Sequence, residues 1–117
     1  MNKVMLIGRL TRDSELRYMA DSREVLGFNL AVDDGFGDDK KTIWFRCYLW
    51  GKRALSLEQY LKKGTQVWVE GKLSHKDGSP RIWGDPPKAS YEVNVFDIVL
   101  LGNRKEHSNV EEDISFL

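Results

Sequence analysis

Between Thr42 and Trp50 the chain alternates, with Ile43, Phe45, Cys47 and Leu49 at one set of positions and Trp44, Arg46, Tyr48 and Trp50 at the other. A period of two belongs to a strand, whose successive side chains point to opposite faces. Shorter apolar runs predict further strands. Lys3 to Leu10 is the first, and Val25 to Val32 the second, after a polar connection from Thr11 to Glu24. Asp33 to Asp39 reads as a long hairpin tip, because glycine and aspartate accept unusual backbone angles. The aromatic segment is the third strand. Beyond it Leu57, Tyr60 and Leu61 recur at helical spacing and predict a helix over Arg53 to Lys63, ended by Gly64. Gln66 to Leu73 and Tyr91 to Leu101 complete the set, separated by a polar loop from Ser74 to Ser90.

This order predicts an all-β fold: a five-stranded Greek-key barrel with one short helix between strands 3 and 4. Such a barrel has the oligonucleotide/oligosaccharide-binding (OB) architecture. If the aliphatic side of the third strand fills the core, three large aromatics and an arginine are left outside. Unpaired bases stack on aromatic rings while cations hold the phosphates, each stacked base being worth roughly 1–3 kcal/mol by truncation. Aromatics are also common where subunits meet. From this strand alone the exterior face is either a stacking platform or an interface.

Composition changes the picture in one respect. The chain has 117 residues, 41% of them hydrophobic, which suits one modest core. Its formal charge is zero, yet Glu106, Glu111, Glu112 and Asp113 all lie in the last dozen residues. Without those acids, 14 acidic residues face 18 basic ones, so a body of about +4 precedes an acidic tail. We expect an OB domain over residues 1–103 and a short flexible linker with an acidic tip over 104–117. The start has no apolar stretch long enough for a signal peptide or membrane span, and the expected location is cytoplasmic and nucleoid-associated.

Catalytic and metal chemistry find little to work with. The single cysteine, Cys47, excludes an internal disulfide and sits among the aliphatic positions as a small hydrophobe. The aspartates of the hairpin tip lack the spacing and closing glutamate of a calcium loop. His75 and His107 are isolated on expected loops, and neither zinc spacing, a phosphate-cradling glycine loop nor a nucleophile turn is present. No catalytic residue, metal or cofactor is expected.

Several short motifs bear a closer likeness. Asn2-Lys3-Val4 with Leu6-Ile7-Gly8-Arg9-Leu10, Glu15-Leu16-Arg17-Tyr18, Phe28-Asn29-Leu30-Ala31-Val32, Trp44-Phe45-Arg46, Leu49-Trp50-Gly51-Lys52, Tyr60 to Gly64 and Val67-Trp68-Val69-Glu70-Gly71 occur in order. In that order and spacing the chain resembles the bacterial single-stranded DNA-binding protein family. The resemblance implies an OB barrel that wraps single-stranded DNA without catalysis, serves replication, recombination and repair, and assembles as a homotetramer, with a dimer as the fallback. It also implies that Trp44, Trp50 and Phe36 match aromatic stacking positions. A further family aromatic falls near Asp77, where this chain has none, and Trp83 is the available substitute. Tyr48 shares the aromatic face, whereas Trp68 either stacks a base or packs against a neighbouring subunit. Lys3, Arg9, Arg17, Arg46, Lys52, Lys62, Lys63 and Lys72 are the candidate phosphate contacts. Arg46 leads them, because a guanidinium between two tryptophans can pair with phosphate or stack on a base.

The family's acidic tip recruits genome-maintenance proteins, and Glu111, Glu112, Asp113, Ile114, Phe116 and Leu117 are the corresponding candidates here. Ser115 stands where the family has proline, and Leu117 extends past the phenylalanine. Two other readings remain open at this stage: an accessory protein-assembly module resembling a primosomal protein, and an auxiliary or mobile-element paralogue serving DNA uptake or recombination.

Overall fold

The structure is a computed structural model and describes residues 1–74 and 81–102. The chain order is β1 (Val4–Leu10), β2 (Glu15–Tyr18), β3 (Glu24–Asp34), β4 (Lys41–Trp50), α1 (Lys52–Leu57), β5 (Gln66–Ser74), β6 (Arg81–Trp83) and β7 (Lys88–Gly102). Five strands close on themselves in the order β1-β5-β7-β4-β3, and β1 returns to β3 through Arg9 opposite Ala31 and Leu10 opposite Leu30. β4 runs antiparallel to β3 and parallel to β7, which makes the connection a Greek key rather than a meander. The expected OB-like barrel is therefore present, with two extra strands.

The core forms where the apolar parity of each strand points inward. Phe28, Leu30, Cys47, Val67, Val69 and Val93 are wholly buried, joined by Phe45, Leu49 and Ile98. Burial of this kind is worth about 25 cal/mol per Å² of apolar surface removed from water. At the seam the strands come close. A Cβ on Gly8 would lie 2.5 Å from the Ala31 carbonyl oxygen, so β1 can cross from β5 to β3 only with glycine there.

Two elements depart from expectation. The connection from Thr11 to Glu24 contains β2, which pairs with β3 from Glu15 opposite Gly27 to Tyr18 opposite Glu24. β2 continues the edge of β3 that β1 leaves, so the two behave as one strand broken by a bend. The predicted loop from Ser74 to Ser90 likewise contains β6 and the beginning of β7. The helix is shorter than its spacing suggested: α1 stops at Leu57, and a 3₁₀ turn covers Glu58–Tyr60. Gly64 is not its terminator. With φ at +87° it opens the turn into β5, donating its N–H to the Leu10 carbonyl at 2.8 Å. His75, Asp77, Glu106, His107 and the acidic candidates Glu111 to Leu117 lie outside the described residues.

Burial pushes the Cys47 thiol up to about 12 from an ordinary 9.0, the nearby Arg46 charge opposing only in part. The unfolded chain thus ionises at a lower pH than the folded one. Cys47 stabilises the fold fully below pH 9.0, and that contribution is lost as pH rises toward 12. Urea titrations should show the stability gap between wild type and Cys47→Ala narrowing over that range. A constant gap would mean that the thiol is reached by solvent in the folded state.

Candidate nucleic-acid interface

β4 is hydrogen-bonded on both edges and buried on one face, so its large polar and aromatic side chains have only the outer face. Phe45, Cys47 and Leu49 point inward, while Trp44, Arg46 and Tyr48 lie half-buried outside and Trp50 is 38% exposed. Opposite them β3 presents Ala31 to Trp44, Asn29 to Arg46, Gly27 to Tyr48 and Val25 to Trp50. These are smaller residues, and the long side chains of β4 lie across them. At Gly27 even a Cβ would come within 2.5 Å of Arg46 Nη2.

Arg46 is held in place and makes no ion pair among the described residues, with Glu92 of β7 opposite it in register. Its Nη1 donates to Asn29 Oδ1 at 3.2 Å, and its guanidinium carbon stands 5.5 Å from the centre of the Tyr48 ring. Nε and Nη2 have no acceptor among the described residues, so donors suited to a phosphate oxygen stay open. Around it is a cleft of about 510 Å³ lined by Arg12, Arg17, Arg46, Trp44, Tyr48 and Trp83, with Glu15 its one acid among the described residues. β6 brings Trp83 to this cleft by pairing with β7.

Trp50 continues the row beyond Tyr48. Its indole N–H donates to Asn94 Oδ1 at 3.3 Å, and the Arg23 guanidinium lies 4.9 Å from its ring centre. Phe36 stands apart at the β3–β4 hairpin tip, 93% exposed, with an ion pair of 3.1 Å between Lys40 and Asp33 beside it.

The remaining cations are dispersed. Lys3 pairs with Glu70 at 2.9 Å and Arg17 with Glu15 at 3.0 Å. Arg9 donates to the Gly64 carbonyl at 3.0 Å and, with Lys63, lines a second depression between β1 and the turn into β5. Lys52, Lys62 and Lys72 are exposed and outside the cleft.

Trp68 belongs to a different wall. It lies half-buried on the outer face of β5, between Ile7 on β1 and Val99 on β7. Ile7 is 52% and Met5 63% exposed, so this wall carries an apolar patch, bordered by the Lys3–Glu70 ion pair and Arg9, where the β3–β4 wall is basic and aromatic. Among the described residues no group of three His, Cys, Asp or Glu side chains could hold a metal ion, and no helix is long and apolar enough to cross a membrane.

Sequence reasoning missed Arg12, Arg23, Gly27 and Asn29. The motif Phe28 to Val32 contained Asn29 but gave it no role. Arg12 and Arg23 sat in what read as a connection, and only the pairing of β2 with β3 brings them to the outer face.

Comparison with known proteins gives the same direction. The model of the single-strand binding protein family matches residues 1–101. Single-stranded DNA-binding protein 1 of Chlorobaculum tepidum is 39% identical over 121 aligned residues, covering 99% of this chain and 74% of that protein. The single-stranded DNA-binding protein of Borreliella burgdorferi is 42% identical over 100 residues, and that of Neisseria meningitidis 35% over 118. The chain spans 65% of the Borreliella protein's length and 64% of the Neisseria protein's, just under two thirds of each.

Proposed function

The chain belongs to the single-strand binding protein family, and on that premise we propose that it holds unpaired DNA along the outer face of β3 and β4. The observation that carries this reading is Arg46: a guanidinium with open donors, fixed by Asn29 and Tyr48, in the same row as Trp44 and Trp50. Cations capture the strand first. Each phosphate they neutralise releases counterions, so affinity falls by ~0.7 log units per log unit of salt for each contact. Bases then stack on Trp44, Tyr48 and Trp50, with Trp83 across the cleft and Phe36 on its hairpin as further rings. Duplex DNA hides its base faces, so stacking selects single strands with little regard to sequence. The role is binding and protection during replication, recombination and repair, with no chemical step.

The apolar wall of Met5, Ile7, Trp68 and Val99 supports self-assembly. Exposed apolar surface of this extent is costly on a lone small domain, and a second copy of the chain is its natural cover. A homotetramer is the assembly we propose, a dimer the smaller alternative. The acidic run Glu111 to Asp113 with Phe116 and Leu117 is assigned the recruitment of partner proteins, on sequence grounds alone.

Tryptophan fluorescence during titration with oligo(dT) tests the groove. Quenching that weakens with salt and is absent with duplex is expected. Trp44→Ala or Trp50→Ala should weaken binding by one to two orders of magnitude, about 1–3 kcal/mol. A folded double variant with unchanged affinity would instead favour a protein-assembly module. In sedimentation equilibrium, wild type should run as an oligomer and Trp68→Glu as a smaller species; identical masses would move the interface elsewhere. Removing residues 111–117 should leave oligo(dT) affinity in place and abolish capture of replication and repair proteins, and retained capture would exclude the tip as their docking point.

A further inference from the structure

The β2–β3 turn holds a cation that the groove as described does not use. Between Met19 and Arg23 the chain reverses through two backbone hydrogen bonds, Met19 N–H to the Arg23 carbonyl at 2.9 Å and Ser22 N–H to the Met19 carbonyl at 2.8 Å. Asp21 then grips Arg23 twice: Oδ1 accepts from its backbone N–H at 3.2 Å and Oδ2 from its Nε at 2.7 Å. The backbone hydrogen bond is the largest reason that the Asp21 carboxyl titrates below its ordinary value, so at neutral pH the grip is ionised. The result is a guanidinium with its Nε edge tied to a carboxylate and its central carbon 4.9 Å from the centre of the Trp50 ring. Nη1 and Nη2 have no acceptor among the described residues.

Asp21 and the Trp50 ring together hold the long Arg23 side chain in one place although it is largely exposed, and that ordering costs rotamer entropy. The arrangement shares with Arg46 an aromatic ring beneath the cation and open donors, but there a neutral oxygen rather than a carboxylate holds one nitrogen. The two cations stand over neighbouring rings of one row, Tyr48 and Trp50. Resting on the groove reading above, we propose that Arg23 is a phosphate clamp at the Trp50 end: its two Nη groups take the phosphate of the nucleotide that stacks there. Asp21 and Trp50 position the fork, and ring and clamp act as one unit. Because Asp21 cancels its charge at a distance, Arg23 contributes through directed, bidentate hydrogen bonds rather than through long-range attraction. The groove thereby extends past Tyr48 to the β2–β3 turn.

Oligo(dT) titrations of Arg23→Ala, Arg23→Lys, Trp50→Ala and the Arg23→Ala/Trp50→Ala pair test this. Arg23→Ala should bind about tenfold more weakly, as expected for loss of a charge-assisted pair of hydrogen bonds. Lysine, a point charge without the planar fork, should restore little of it. In the Trp50→Ala background the same change should cost about twofold or less, because the support of the fork has gone. Unchanged affinity in Arg23→Ala, full rescue by lysine or simple additivity with Trp50→Ala would each overturn the clamp. Tighter binding by Arg23→Ala would show that the guanidinium only occludes the ring, and would overturn it as well. If wild type fails to bind oligo(dT), the groove reading itself falls; if wild type and Trp50→Ala behave as proposed there and Arg23→Ala is neutral, only the clamp does.

Discussion

β4 is the strand on which the rest depends. It is paired along its whole length with β3 on one edge and in parallel with β7 on the other, and Phe45, Cys47 and Leu49 lock one face into the core. A slip of one residue would send those three into solvent and two tryptophans into the barrel, so register and burial enforce each other. The outer row from Trp44 to Trp50 is a consequence of that lock. Its side chains are presented by a strand paired on both edges and packed on one face, which is why they can stand ready before any ligand arrives.

A presented side chain is useful only if it is held. The small residues of β3 allow the long ones of β4 to lie across the sheet, and Gly27 leaves space that any Cβ would take from Arg46. Asn29 then fixes Arg46 by a neutral oxygen, and Tyr48 supports it by a ring. The choice of asparagine matters, because a neutral oxygen orders Arg46 and leaves its charge for long-range attraction, whereas a carboxylate, as at Arg23, leaves only the open donors. Ordering cations beforehand reduces the entropy that binding would otherwise cost.

The alternation of β4 was legible because a period of two in a strand buried on one face has a single solution, and the inward set at Phe45, Cys47 and Leu49 is the one found. The barrel order followed from five apolar runs and one helical spacing. β2 was not legible: Glu15 to Tyr18 is four residues with mixed polarity, and what makes it a strand is its register with β3, a contact the local pattern does not encode. The helix was overread since Tyr60 and Leu61 keep helical spacing while the backbone tightens into a 3₁₀ turn that takes Leu61 into the core. Arg46 could be placed from its own strand. Arg12 and Arg23 could not, because their approach to β4 is made by a hairpin whose first strand, β2, the local pattern does not encode.

Net charge was the least informative quantity of all, and the pairing pattern explains why. Glu15 is tied to Arg17, Glu70 to Lys3 and Asp97 to Arg53. Such surface pairs contribute little to stability, roughly 0–1 kcal/mol each, but each removes a cation and an anion together from the field that a strand of phosphates would meet. Among the described residues Arg12 and Arg46 in the cleft pair with no acid. A formally neutral chain can therefore offer a positive groove, because attraction at close range depends on which cations remain uncompensated rather than on the total. The same logic separates the two outer walls of the barrel: where cations stay open beside aromatic rings, the surface suits a charged strand, and where Met5, Ile7, Trp68 and Val99 meet without them, it suits another apolar face.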